Sequence, residues 1–477
     1  MGNKFSNGIK RIHFVGIKGV GMAPLAIIAK QAGFKVSGSD VSETFITDEE
    51  LKKSDISPSI GFSEDHVKDV DLVIYTSAHG GLDNLEVKRA QEKGIPLLNQ
   101  GKALGVFQKG DIFGKKYRGI SIAGSHGKTT TTAIIATILA ENKLDPSFVI
   151  GSGSVPSLGG PGHFGKGEYF VSEADEYFAD TLSDRTAKFL YQSPQIIVVT
   201  NIDFDHPDIY ASIDEIRSVF VEFANSLPDG GVLIACADGD ENRKFLNLVN
   251  ARKLTYGFLP NCDYVLQRVS YSSEKMFFWV KSHNALLGQF SMEIFGEQNG
   301  LNALAGIVVG LEIGLSVDQI KKGLSKFRGT KRRSELIGNL AGGGIIYDDY
   351  AHHPEEIRKT LFAFRKSFPK YKIIPIFQPH MYSRTKKLFN QFASAFSDAD
   401  EVIVTEIFPS FREVVDPNFS SRLLSEEIKK YGKSAAYFAT PSDVVKYLTS
   451  RDYGKNTLVI TMGAGDVYKI GKELIKS

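Results

Sequence analysis

The stretch AGSHGKTTTTAII, residues 123–135, sets Lys128 between a glycine and a run of threonines, directly after the strand-like YRGISI. A strand that runs into a glycine-bearing turn and then a helix points backbone N–H groups and the positive helix end at an anion. A lysine there adds a mobile cation for the outer phosphates. Gly124, Ser125, His126, Gly127, Lys128, Thr129 and Thr130 are thus expected to wrap a triphosphate, with the Thr129 hydroxyl offered to Mg2+. The strict pattern G-x-x-x-x-G-K-[ST] is not met, because Ile122 stands where its first glycine belongs. A solvated helix start capped by threonine also accounts for Gly-Lys-Thr. The strand before and the helix after favour phosphate.

Other groups able to do chemistry stand at the ends of strand-like runs. SEADEY (172–177) carries Glu173, and TNIDFDHPDIY (200–210) carries His206. In an open parallel sheet the carboxyl ends of strands face the ligand crevice, so both would reach a divalent cation beside the triphosphate. Oxygen ligands suit Mg2+, whereas an imidazole ligand is less usual and would equally hydrogen-bond a carboxylate. DDYAHHPEEI places Asp348, Asp349, His352 and His353 at a strand-to-helix junction with Pro354 at the first helical position; helix capping with two surface histidines is the plain alternative. FQPHMYSRT adds His380 and Arg384 after another strand. GIKGVGM holds Gly16, Gly19 and Gly21, a dinucleotide fingerprint with its spacing inverted, followed by Asp40 after the next strand. A tight turn explains such glycines without a ligand, but the strand context favours a diphosphate.

Strand and helix patterns alternate through the whole chain, so the elements that must position these groups are α/β units. A doubly wound unit is expected over 1–112, with strands at RIHFV and DLVIYTSAH (71–79) and a helix from Met22 to about Ala32. A second unit over 113–328 contains the lysine loop, a β-rich run DYVLQRVSYSSEKMFFWVKS that reads as an antiparallel insert, and a helix over 301–315. A third α/β unit follows over 329–477. The 477 residues fit several domains. With 57 Lys+Arg against 55 Asp+Glu, the net charge of +2 gives no field to attract nucleic acid or a membrane surface. Two cysteines are too few for a disulfide framework, which fits a reducing cytoplasm.

The motifs GSHGKTTTT, EADE, TNIDFDHPDIY, EQNGLNALA, GTKRRSE, DDYAHHP, FQPHMYSRT and TMGAGD occur in one order over nearly the whole length, and by that ordered set the chain resembles the Mur ligases of peptidoglycan synthesis. The resemblance implies a three-domain α/β architecture: a Rossmann-like N-terminal domain, a central P-loop ATPase domain with a mixed sheet and a Rossmann-like C-terminal domain. It also implies ATP and Mg2+, and an amide bond made by way of an acyl phosphate. Lys128 would neutralise the β- and γ-phosphates, Thr129 and Glu173 would hold Mg2+, and His206 matches a second metal position. Asn302, Arg333 and Asp349 match nucleotide contacts, and domain closure would complete the site. Gly19, Val20, Gly21, Ser77 and Asp40 would take the uridine-diphosphate end, and His353, His380 and Arg384 would lie near the incoming amine.

Within the family, GIKGVGM, DDYAHHPEEI and FQPHMYSRT resemble the branch acting on UDP-N-acetylmuramate and L-alanine. EADEYFADTLSDRTAKFL and DFDHPDIY look more like the branch attaching a recycled murein tripeptide. Met381 stands where the alanine branch usually has arginine, which leaves the choice of amine open. A monomer or weak homodimer is expected. Two readings of another class compete: a nicotinamide-dependent oxidoreductase built on the first domain, and a nucleotide-driven switch.

Overall fold

A computed structural model describes residues 8–204, 209–272, 275–283, 285–409, 413–451 and 453–475. His206, expected at the metal site, lies outside the described residues.

The first sheet has five parallel strands in the spatial order Ser59–Ile60, Lys35–Asp40, Arg11–Val15, Leu72–Tyr75 and Leu97–Asn99. The order reverses between Arg11–Val15 and Leu72–Tyr75, so the crevice for a ligand opens where those two strands end. Leu72–Tyr75 is buried throughout, as a continuous apolar run in a parallel sheet should be. It stops short of the expected 71–79. Its neighbour turns away at Gly16, whose φ of +78° and approach to Thr76 leave no room for a side chain: a methyl on Gly16 would stand 2.4 Å from Cγ2 of Thr76.

The central sheet has ten strands. Tyr264–Tyr271, Lys253–Gly257, Val232–Cys236, Ile196–Val199, Arg118–Ala123, Tyr169–Glu173 and Ser147–Val149 run parallel in that order. Gly162–His163 closes one edge antiparallel, and Met276–Ser282 and Ala285–Met292 continue the other. The β-rich run expected as an antiparallel insert extends the central sheet, and Tyr264–Tyr271 joins it by pairing in parallel with Lys253–Gly257. The helix expected over 301–315 spans Glu297–Glu312, and the next, Val317–Leu324, starts at a reciprocal Ser316–Gln319 capping box.

The third sheet runs Glu335–Asn339, Ile345–Asp349, Thr457–Met462, Lys372–Phe377, Glu401–Thr405, Ser434–Phe438, parallel apart from its first strand. The chain thus has the α/β class, with mixed sheets in its central and third parts.

Two compact units result: Met1–Val269 with Phe277–Met292 and Asn299–Arg328, and Gly329–Ser477 with Ser270–Met276 and Glu293–Gln298. The first two sheets share one unit because one apolar cluster joins them. Ile12, Phe14, Ile28 and Phe107 from the first sheet and its helices pack with Tyr117, Val149 and Phe170 of the central part. In the second unit Phe295 sits edge-on to Phe368 at 5.7 Å and faces Tyr271 at 6.5 Å, so two short segments from before residue 329 belong to that core. Among the described residues no helix is long and apolar enough to cross a membrane.

Candidate active site

The strand Arg118–Ala123 ends inside the central sheet, and the chain turns at Gly124 into the helix Lys128–Glu141, which has no acidic residue in its first turn. The turn is built for glycine at both ends. At Gly124, φ is +136° and a methyl would stand 2.1 Å from Thr200 Oγ1; at Gly127, φ is +85° and a methyl would stand 2.6 Å from Asn302 Oδ1. The neighbouring strand end braces the loop. Thr200 Oγ1 donates to the His126 carbonyl at 2.6 Å, Asn201 Oδ1 accepts from the His126 N–H at 2.8 Å, and Asn201 Nδ2 donates to the His126 carbonyl at 2.9 Å. Ser125 Oγ accepts from the Asp203 N–H at 2.9 Å. The TNID segment thus sets the shape of the loop, a role that its sequence signalled only through its place after a strand.

Lys128 Nζ donates to the Gly124 carbonyl at 2.5 Å and to Glu176 Oε2 at 2.9 Å. Burial lowers the lysine pKa, but the charges of Glu176 and Asp175 outweigh it and hold the group above its ordinary value. Lys128 is therefore an ammonium, held at the mouth of a glycine turn and ahead of a helix N-terminus. Beside it the Thr129 hydroxyl donates to Glu173 Oε2 at 3.0 Å, while Glu173 Oε1 accepts from the Gly151 N–H at 2.6 Å. The backbone of Glu173 is fixed from behind, where Gln192 Nε2 donates to its carbonyl at 2.9 Å. A hydroxyl and a carboxylate in contact at the edge of the lysine loop are hard oxygen ligands of the kind Mg2+ takes. Glu176, which holds the lysine, escaped the sequence reading: EADE offers two glutamates, and only the end of the strand at Glu173 decides which one faces which group.

In the first sheet Gly19, Val20 and Gly21 form the turn after Arg11–Val15. Val20 is 40% exposed there, and Ser77 follows Leu72–Tyr75 on the other side of the order reversal. Asp40 is fully buried. Its oxygens accept from the Lys18 N–H at 2.7 Å and the Val41 N–H at 2.8 Å, and His79 Nε2 lies 3.3 Å away, so the carboxylate braces the glycine turn from beneath.

In the second unit Asp348 and Asp349 are the last residues of their strand. Asp349 accepts from the Ser334 N–H at 2.7 Å, the Ser334 hydroxyl at 3.0 Å and the Ala351 N–H at 2.9 Å, and burial pushes its carboxyl above the ordinary value. The guanidinium of Arg333 lies over the Tyr350 ring at 5.1 Å. Its neighbour Arg332 turns inward. Arg332 Nε meets Asp348 Oδ2 at 3.0 Å, and its other nitrogens donate to the carbonyls of Gly463, Ala464 and Gly465, tying two strand ends together. RRSE contains two arginines, and nothing in their order says which is structural. His353 caps the helix Pro354–Ser367, its Nδ1 accepting from the Glu355 N–H at 3.4 Å; the capping alternative describes this geometry. The rings of His352 and His380 approach to 6.1 Å, and His380 stacks on Phe408 at 5.8 Å. Arg384, half-buried on the short helix Tyr382–Lys387, makes no side-chain hydrogen bond or ion pair among the described residues. Met381 before that helix has φ of +72°, an uncommon conformation for a residue with a side chain.

Residues 11–110 match the family description "Mur ligase family, catalytic domain", residues 122–310 "Mur ligase middle domain" and residues 332–465 "Mur ligase, glutamate ligase domain". A UDP-N-acetylmuramate--L-alanine ligase of Desulfitobacterium hafniense is 40% identical over 97% of this chain and 99% of its own length. A solved UDP-N-acetylmuramate-alanine ligase of Thermotoga maritima is 29% identical, superimposes with a TM-score of 0.82 and is covered to 98%, as is this chain. A murein peptide ligase of Psychrobacter arcticus gives a TM-score of 0.69 at 25% identity over the same 98% of both chains. With three family domains matched in order around a braced lysine loop, the chain belongs to the Mur ligase family and is an ATP-dependent, amide-bond-forming ligase.

Proposed function

We propose that the protein joins L-alanine to the carboxylate of UDP-N-acetylmuramate, with ATP converted to ADP and phosphate, as a step of peptidoglycan precursor synthesis in the cytoplasm. The observation that carries the reading is the Lys128 ammonium at the head of a helix, with the Thr129–Glu173 pair beside it at 3.0 Å. The name borne by relatives covered over nearly their full length supports the substrates.

A carboxylate near neutral pH offers an amine no acceptable leaving group. Attack of a carboxylate oxygen on the γ-phosphorus of ATP releases ADP and forms an acyl phosphate. The amine then adds to the acyl carbon, and phosphate leaves with the electron pair of the broken C–O bond. The protein's share of this is positioning and charge neutralisation. Lys128 takes the outer phosphates, the N–H groups of Gly127, Lys128 and Thr129 at the helix start donate to them, and Asn302 packs against the turn at Gly127. Thr129 and Glu173 hold Mg2+, which when bound would lessen the repulsion between the γ-phosphate and the carboxylate. Gly19, Val20, Gly21 and Ser77 flank the order reversal of the first sheet and take the uridine-diphosphate end, with Asp40 acting through the turn it braces. Arg384, a guanidinium without a carboxylate partner among the described residues, serves the carboxylate of the incoming amino acid.

The test is ATP turnover with UDP-N-acetylmuramate against L-alanine, L-serine, glycine and L-alanyl-γ-D-glutamyl-diaminopimelate. ADP release is expected only with both the nucleotide sugar and an amine, with L-alanine preferred, and Lys128→Ala is expected to abolish it. Preference for the tripeptide would move the assignment to the recycling reaction. ATP hydrolysis that needs neither substrate, or near wild-type turnover in Lys128→Ala, would refute the proposal.

A further inference from the structure

A second cluster of ionisable groups lies in the first sheet, away from the lysine loop and unused by the ligase chemistry. His13 sits in the strand Arg11–Val15, His66 in the short helical turn Glu64–Val67, and Glu86 near the start of the helix Leu85–Glu92. The Glu86 side chain has no exposure and His13 only 1%, while His66 retains 26%. One imidazole stands on each carboxylate oxygen: His13 Nε2 is 3.1 Å from Oε2, and His66 Nδ1 is 2.6 Å from Oε1. The ligand atoms of all three side chains fall within 4.8 Å of one another.

We propose that His13, His66 and Glu86 form a binding site for a divalent transition-metal ion, zinc by preference. Zinc takes imidazole and carboxylate ligands at about 2.0–2.2 Å in a tetrahedral array, which sets neighbouring ligand atoms roughly 3.3 Å apart. The imidazole–carboxylate separations of 3.1 and 2.6 Å bracket that spacing, and with all three ligand atoms within 4.8 Å small side-chain rotations would bring the set to it. The surroundings are those a metal site needs. His13 Nδ1 pairs with Ser37 Oγ at 2.9 Å, which fixes the ring and aims Nε2 at the carboxylate, and Ser39 Oγ and the Ser63 N–H at 3.1 Å donate to Glu86. Such outer partners orient ligands and raise their basicity. A fully buried carboxylate also requires a compensating positive charge, and among these neighbours only the two imidazoles or a cation supply one. The partly exposed His66 leaves a way in from solvent. Two nitrogens with one carboxylate favour zinc over Mg2+, which prefers oxygen and keeps its waters.

The full-length protein, stripped with a chelator, is mixed with stoichiometric Zn2+ in millimolar Mg2+, which occupies the oxygen-ligand site, and is then desalted. One zinc per chain is expected to remain on the wild type and none on His66→Gln. Diffraction at the zinc edge is expected to show an anomalous peak between the three side chains. Wild-type protein that retains no zinc, equal retention by His66→Gln, or a peak elsewhere overturns the proposal. If His66→Gln does not fold, the position of the wild-type anomalous peak alone decides.

Discussion

Glu176→Gln isolates what holds the phosphate-loop lysine before a nucleotide arrives. Lys128 Nζ lies 2.9 Å from Glu176 Oε2, with the lysine side chain 15% and the glutamate 2% exposed. Unit charges about 3 Å apart attract by roughly 5–6 kcal/mol at an effective dielectric near 20. Removing one partner of a buried pair costs about 3–5 kcal/mol, of which the glutamine carbonyl returns about 1 kcal/mol as a neutral hydrogen bond. The Gly124 carbonyl stays in place as a further acceptor. The free protein should lose about 3 kcal/mol, a fall in melting temperature of roughly 5 °C for a unit of this size. Bound phosphates would supply the missing negative charge, so the loss should shrink in the complex. Scanning calorimetry with and without a non-hydrolysable ATP analogue and Mg2+ checks this: the analogue should raise the melting temperature of the variant more than that of the wild type. Equal losses in both states would show that Glu176 does not hold the lysine for phosphate and would refute the reasoning.

Gly16→Ala places a methyl 2.4 Å from Thr76 Cγ2 at a φ of +78°; a destabilisation of about 1–3 kcal/mol is expected, with a raised KM for UDP-N-acetylmuramate and an unchanged KM for ATP, read by denaturant titration and steady-state kinetics. Burial pushes the Asp348 carboxyl up to about 6 against the charge of Arg332, from an ordinary value of 3.8. The folded state therefore holds this proton more tightly than the unfolded chain, so the contribution is complete below about pH 4 and is lost as the pH rises through about 6. Relative to the wild type, Asp348→Asn should gain about 2–2.5 kcal/mol between pH 4 and pH 7; a difference that does not change with pH, or that changes the other way, would mean that the Arg332 pair outweighs burial.

The parts legible from sequence are those set by neighbours along the chain. A strand, a glycine turn and a helix are local, so the shape of the lysine loop could be read from Ile120 to Ile135, and the alternation of strand and helix declared α/β units throughout. The restart of the α/β pattern near residue 329 was also legible. The joining of the first two sheets was not, because Phe107, Tyr117 and Phe170 meet only in a shared core. Tertiary packing likewise decided which of paired candidates does what. Glu173 meets Thr129 while Glu176 meets Lys128, and Arg332 is buried against Asp348 while Arg333 stays partly exposed. Asp40 and His353, expected as ligand contacts, also accept from the Lys18 and Glu355 N–H groups, and only the folded turns bring those into reach. The pairing of His13 with Glu86, 73 residues apart, likewise has no local signal. Local pattern specifies which elements form and which loops are open to ligand; the direction in which one side chain among similar neighbours points depends on the shape of what packs against it, and that exists only once the sheets have closed over their cores.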